Sequence, residues 1–214
     1  MKYIRKFVLL FTVFLLLISC PVAASTTKQR IVKNVKRANI VLAGSSSLSR
    51  WKNAKSNLYP YSIANISVGG TKINEWQKYN YYITKCKPKV IIVSIGGNDI
   101  RSKSANEIAV SRKVIKFLKT LSTNNPKAKI FYVSVHPNPK RWAVWNKVKR
   151  FNNEVKKWCK NKKKIEFIDI TNYCLKNGKP DKSLFISDRL HFNTKGYNRV
   201  WKNVVAKKVK KYLK

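Results

Sequence analysis

The sequence predicts a three-layer α/β/α sandwich around a five-stranded parallel sheet. Three observations carry that expectation: short β-branched apolar runs, longer amphipathic runs between them, and an alternation of the two along a chain of 214 residues. At a usual domain size of ~100–200 residues the length admits one compact domain. Apolar residues make up 44% of the chain and aromatics 12%, with 7 Gly and 7 Pro, so a core can be buried and the disordered and fibrous classes are excluded.

Five segments read as strands: Asn39 to Ala43, Ser62 to Ile66, Lys89 to Ile95, Lys129 to Val135 and Ile165 to Ile170. Their apolar runs are continuous rather than alternating, which suits parallel strands covered on both faces. Between them, Ser104 to Ser122 carries Ile108, Val114, Ile115, Leu118 and Leu121 at helical spacing and stops before Asn124-Asn125-Pro126. Trp145 to Cys159 and Lys195 to Leu213 read as amphipathic helices with basic outer faces. Strand and helix in turn require right-handed crossovers.

The amino end addresses the compartment. Lys2, Arg5 and Lys6 precede an apolar run from Phe7 to Ser19 broken only by Thr12, and Val22-Ala23-Ala24 supplies small residues before Ser25. That layout predicts a signal peptide over 1–24, a flexible leader over 25–36 and the folded domain over 37–214, hence a secreted or otherwise extracytoplasmic protein. Two alternatives stay open for the same segment. Cys20 would be the lipidated residue of a lipoprotein, a reading that Pro21 opposes, and an uncleaved anchor fits a run near the ~20 residues of a membrane span.

Lys and Arg number 47 against 8 Asp and Glu, a formal charge of +39, so the partners to expect are anionic: wall polymer or a membrane surface reached through a basic face. Export sets nucleic acid aside, and no nucleic-acid module is recognisable. Cys86, Cys159 and Cys174 follow the apolar leader, an odd set that allows one bridge at most. Cys159 and Cys174, one at a helix end and one just past the next strand, are the candidate pair, and free thiols are the alternative. No Cys or His spacing suits a structural metal.

In an open α/β sheet the ligand sits beyond the carboxyl ends of the strands. There the sequence places Gly44-Ser45-Ser46-Ser47, then Ser67-Val68-Gly69-Gly70-Thr71, then Gly96-Gly97-Asn98-Asp99, then His136-Pro137-Asn138-Pro139, and before the last helix Asp188-Arg189-Leu190-His191. Acyl transfer from a serine needs a nucleophile, a base, a group that orients the base, and donors for an oxyanion. Each has a candidate here. The chain holds only His136 and His191, and Asp188 lies three residues before His191, so one short loop can carry base and orienter. Gly70 can offer its backbone N–H and Asn98 a side-chain N–H. Blander roles are open for each: Ser46 as a helix N-cap, Gly69, Gly70 and Asn98 as turn residues, Asp99 as a pin for its own loop. His136 is a candidate for substrate contact or for structure. Trp142, with Trp145 and Arg141, is a candidate substrate wall or plain helix packing.

Taken together, Gly44-Ser45-Ser46-Ser47 followed by Trp51, Asn65 through Gly70, Gly96-Gly97-Asn98-Asp99 and Asp188-Arg189-Leu190-His191 resemble the SGNH hydrolases, the GDSL lipase and esterase family. Order and spacing match together from Ile40 to Tyr197. The resemblance implies a flavodoxin-like sandwich with Ser46 as nucleophile, His191 as base and Asp188 as its orienter. It also implies an oxyanion hole from Ser46, Gly70 and Asn98, and no metal or other cofactor. Ser45 stands where the family usually has Asp, as in a subgroup with a Gly-Ser-Ser-Ser motif, and Ser67 stands where the second block usually has Gly. The activity implied is that of a serine esterase; the export signal and the basic surface, not the resemblance, favour O-acyl (acetyl) groups on carbohydrate as the first substrate class, with lysophospholipid as the second. From another class, a noncatalytic binder of anionic wall polymer or membrane surface remains the alternative.

Overall fold

The computed structural model describes residues 22–214. Helix α1 (Val22–Lys33) leads into β1 (Ile40–Gly44), the short helices α2 (Ser46–Ser49) and α3 (Ala54–Asn57), and β2 (Ile63–Asn65). Then come α4 (Ile73–Lys78), α5 (Asn80–Lys85), β3 (Val90–Ser94), α6 (Glu107–Asn124) and β4 (Lys129–Val133). A 3-10 turn over Pro139–Val144 feeds α7 (Trp145–Cys159) and β5 (Ile165–Ile168). A small hairpin, β6 (Leu175–Lys176) with β7 (Lys179–Pro180), precedes α8 (Thr194–Gly196), a π-helical run over Tyr197–Ala206 and α9 (Lys207–Leu213).

The sheet has five parallel strands in the order β2-β1-β3-β4-β5. Chain order reverses about β1, which has β2 on one side and β3 on the other, so the crevice for a ligand opens beyond the ends of β1 and β3. The loops beginning with Ser45 and Gly96 emerge there.

Side-chain alternation along the strands divides the interior in two. Val41, Ala43, Ile91, Val93, Ile130 and Tyr132 face α6 and α7, where Val114, Phe117, Leu118, Phe151 and Val155 meet them. Ile40, Leu42, Ile92, Phe131 and Val133 face the C-terminal helical run through Val200, Trp201, Val205 and Val209. Burial of the β-branched strand residues on both faces accounts for their continuous apolar pattern. Glu107 adds a polar clamp across α6 and α7, its carboxylate paired with Arg150 at 2.7 Å and Lys147 at 3.1 Å.

The cysteine pairing that the sequence leaves open is decided by this division, and the expected leader is corrected by the helix ahead of β1. Cys159 belongs to the first core and Cys174 to the second, so the sheet lies between them; both thiols are free and buried, as is that of Cys86. The segment expected as a flexible leader is helical through Lys33 and buries Ile31 against the first core, an anchor that the short Ile31-Val32 pair in a basic, polar stretch does not advertise. The export segment through residue 21, with Cys20, lies outside the described residues. Among those described, no helix is long and apolar enough to cross a membrane.

Gly96 turns the chain out of β3 with φ +107, and a Cβ there would sit 2.6 Å from the Phe151 ring on α7. Gly96→Ala therefore meets strain and overpacking together. It is expected to cost ~1–3 kcal/mol, read as a lower midpoint in chemical denaturation; an unchanged midpoint would contradict the packing described here.

Candidate active site

The site is assembled by three loops at the switch point. At the end of β1 the backbone of Gly44 runs so close to Ser94 on β3 that a Cβ would collide with the Ser94 carbonyl, and Ser45 N–H donates to that same carbonyl at 3.1 Å. The chain then turns into α2, with Ser45 in the N-cap position and Ser46 as the first helical residue. Ser46 is thus not the cap. The Gly69-Gly70 turn lies against it: a Cβ on Gly69 would come within 3.7 Å of the Ser46 Cβ, while Gly70 adopts φ +84 with open space where a side chain would be.

The second loop carries the candidate base, His191. Asp188 Oδ1 accepts from the amides of Leu190 at 2.8 Å and His191 at 2.9 Å, and Oδ2 lies 2.5 Å from His191 Nδ1. Arg189 takes a left-handed conformation (φ +57) to close this turn. Further backbone bonds hold it, from Ile186 N–H to the His191 carbonyl at 2.9 Å and from Lys140 N–H to the Arg189 carbonyl at 3.0 Å. Burial alone would raise the Asp188 pKa, but the bonds from the His191 amide and ring and the Leu190 amide outweigh it and bring the pKa to about 2. A permanent carboxylate beside Nδ1 fixes the tautomer that leaves Nε2 free to take a proton.

The third loop carries Asn98. Its Nδ2 donates to the Thr71 carbonyl at 3.1 Å, and Asp99 accepts from Ile73 N–H at 3.3 Å. Asp99 thereby pins the neighbouring Gly70 loop and the start of α4 rather than its own turn. Thr71 is itself held through Oγ1, which donates to the Val68 carbonyl at 2.8 Å and accepts from Trp76 Nε1 at 2.9 Å. The loops bearing Gly70 and Asn98 form one hydrogen-bonded unit.

Ser46, Asn98 and His191 line one narrow cleft, with a cavity volume of about 40 Å³, together with His136, Arg141 and Tyr197. Tyr197 was not expected there. Its hydroxyl donates to the Ser47 carbonyl at 3.1 Å and ties the last helical run to the α2 loop, a contact across 150 positions that leaves no local pattern. His136 stacks on Phe192 at a centroid distance of 4.3 Å and lies 3.4 Å from the Leu190 carbonyl. Trp142 is not among the residues lining the cleft; it stacks on Trp145 at 6.0 Å and packs against the first core. Among the described residues no group of three or more His, Cys, Asp and Glu side chains gathers as a metal site would.

The GDSL-like lipase/acylhydrolase family model matches residues 32–199. The chain belongs to that family. Solved structures agree on the fold. A protein from Streptococcus pneumonia under the name of a platelet activating factor has a TM-score of 0.71 at 18% identity, covering 98% of this chain and 99% of its own. A GDSL-like lipase from Bacteroides thetaiotaomicron has 0.69 at 17% identity, with 88% and 96% covered. A carbohydrate esterase family 3 protein from Talaromyces cellulolyticus has 0.64 at 14%, with 81% and 97% covered. No curated protein matches the chain. Membership in a lipase/acylhydrolase family suggests a hydrolase acting on esters and leaves the substrate open.

His136 supplies a prediction about pH. Burial lowers its pKa to about 4, outweighing the upward pull of the Leu190 carbonyl, with lesser lowering from the neighbouring His191 and Arg141. The folded state holds it neutral, while the unfolded chain protonates it near pH 6.5. Its contribution to stability is therefore complete above about pH 6.5 and falls away as the pH drops towards 4. Thermal midpoints should decline over that window, and His136→Gln should flatten the decline; an identical slope in the variant would contradict the assignment.

Proposed function

We propose that this acylhydrolase is an exported serine esterase of the Gly-Ser-Ser-Ser subgroup, with Ser46 as nucleophile, His191 as general base and Asp188 as its orienter. The observation that carries the reading is the Asp188–His191 pair, closed at 2.5 Å and opening on the same cleft as Ser46 and Asn98. Ser46 Oγ attacks the ester carbonyl as His191 Nε2 takes its proton. The tetrahedral oxyanion is held by the N–H groups of Ser46 and Gly70 and by Asn98 Nδ2. Collapse expels the alcohol, which receives the proton from His191, and leaves an acyl-enzyme. Water, deprotonated by the same imidazole, then releases the acid and restores Ser46.

For the substrate we favour O-acyl, above all acetyl, groups on carbohydrate. A small cleft lined by serines, Asn98, Asn138 and Arg141 has room for an acetyl group and polar partners for a sugar, and little room for a long acyl chain. The Talaromyces cellulolyticus neighbour is itself a carbohydrate esterase. Lysophospholipid comes second, supported by the neighbours that are called lipases. Export rests on the basic and apolar amino end, with 1–24 as signal and the hydrolase domain following it.

Steady-state kinetics on acetylated sugars, an aryl acetate and a lysophospholipid test this. Ser46→Ala should reduce turnover to background, and Asn98→Ala should lower kcat ~100- to 1000-fold, the usual cost of one oxyanion donor. If Ser46→Ala retains most of the activity, the nucleophile is misassigned. If the native protein hydrolyses none of the esters yet retains anionic polymer in a salt-sensitive way, the binding alternative takes its place.

A further inference from the structure

We infer that Arg141 is a positioning residue for the oxyanion donor Asn98, an inference that rests on the esterase reading above. A terminal carboxamide has two similar ends, and as an oxyanion donor it works only when its nitrogen faces the reacting carbonyl. What decides the orientation is which groups hold each end. At Asn98 both ends are held. Oδ1 accepts from an Arg141 terminal nitrogen at 3.2 Å, and Nδ2 donates one hydrogen to the Thr71 carbonyl at 3.1 Å. Arginine has donors and no acceptor, so the reversed carboxamide would set an NH2 against a guanidinium and a carbonyl oxygen against the Thr71 oxygen. Both contacts would be repulsive. With one hydrogen of Nδ2 committed to Thr71 and the amide plane fixed, the other hydrogen remains for the oxyanion.

Arg141 is itself aimed. Its other terminal nitrogen donates to the Gly97 carbonyl at 2.6 Å, the residue before Asn98, so the guanidinium forks over a single turn. Its backbone N–H is bound at 3.0 Å by the side chain of Asn138, which caps the 3-10 turn, and the neighbouring Lys140 N–H donates to the loop of the candidate base at Arg189. Among the described residues no carboxylate lies within 4.0 Å of the guanidinium, so its bonds go to the Gly97 and Asn98 oxygens rather than to an ion pair. A cation on the amide oxygen also draws charge from the amide nitrogen, which makes its N–H a stronger donor to an anion that forms only in the transition state. Lysine cannot make this two-pronged contact, since its ammonium is a single point of charge.

A double-mutant cycle on the full chain tests the inference, with an aryl acetate as neutral ester and a matched ester bearing a carboxylate. Arg141→Met should lower kcat roughly 10- to 100-fold, less than outright loss of the donor, with KM nearly unchanged. Arg141→Lys should recover only part of that loss. In an Asn98→Ala background Arg141→Met should cost about twofold or less, because the group it positions is gone. Equal losses in the two backgrounds would overturn the inference. So would an unchanged kcat with a raised KM confined to the carboxylate ester, which would make Arg141 a contact for substrate charge. Should Arg141→Met fail to fold, as judged by its thermal transition, Arg141→Lys carries the same cycle. A native chain that hydrolyses neither ester would overturn the esterase reading and this inference with it, whereas an active enzyme with additive losses removes this inference alone.

Discussion

Asp188 both shapes the loop of the candidate base and charges it. Its Oδ1 gathers the Leu190 and His191 amides into a turn, and its Oδ2 faces the ring nitrogen of the residue that this turn presents. Together with the Ile186–His191 and Lys140–Arg189 backbone bonds, the two amide bonds to Oδ1 hold Arg189 in its left-handed conformation and present the imidazole to the cleft that Ser46 also lines. The same bonds that form the turn keep the carboxylate ionised down to about pH 2. Loop geometry and electrostatics therefore have one origin, and the proposed chemistry depends on both.

Acid is scarce in this chain, and several of the carboxylates join separate elements. Asp99 joins its loop to α4, Glu107 joins α6 to α7, and Glu166 on β5 receives Lys208 from α9 at 2.6 Å. Asp181 receives Arg199 from the π-helical run at 2.8 Å and Ser183 at 2.7 Å. Each links pieces distant in sequence. The sheet and its two apolar cores hold the fold, and these carboxylates, of which Glu107 and Asp181 are buried, fix where elements meet. Most of the excess Lys remains on the surface, where it gives the molecule a strongly positive field.

The sheet was legible because burial on both faces writes continuous β-branched runs, and each of the five expected strands is present within a residue or two of its expected bounds. Trp145–Cys159 was legible because its apolar residues repeat at helical spacing. The loop motifs around Ser46, Asn98 and His191 were legible because their residue types are ones a strand end rarely needs for packing. What stayed hidden is set by contacts between distant segments. The Tyr197 bond to the Ser47 carbonyl and the Arg141 fork over Gly97 and Asn98 leave no periodicity or spacing to read. The π-helical register over Tyr197–Ala206 is equally invisible in a pattern that suits any helix. Whether Cys159 and Cys174 pair stayed open in the sequence, since nearness along the chain does not reveal the sheet that lies between them.

The central claim is that Ser46 is made nucleophilic by an imidazole that Asp188 holds in place. Covalent labelling with a fluorophosphonate, mapped by peptide mass spectrometry, tests it most directly. The account predicts a single adduct, on Ser46, that forms readily in the native protein and is all but lost in His191→Ala. An adduct on another residue, or labelling of Ser46 that does not change when His191 is removed, would contradict it.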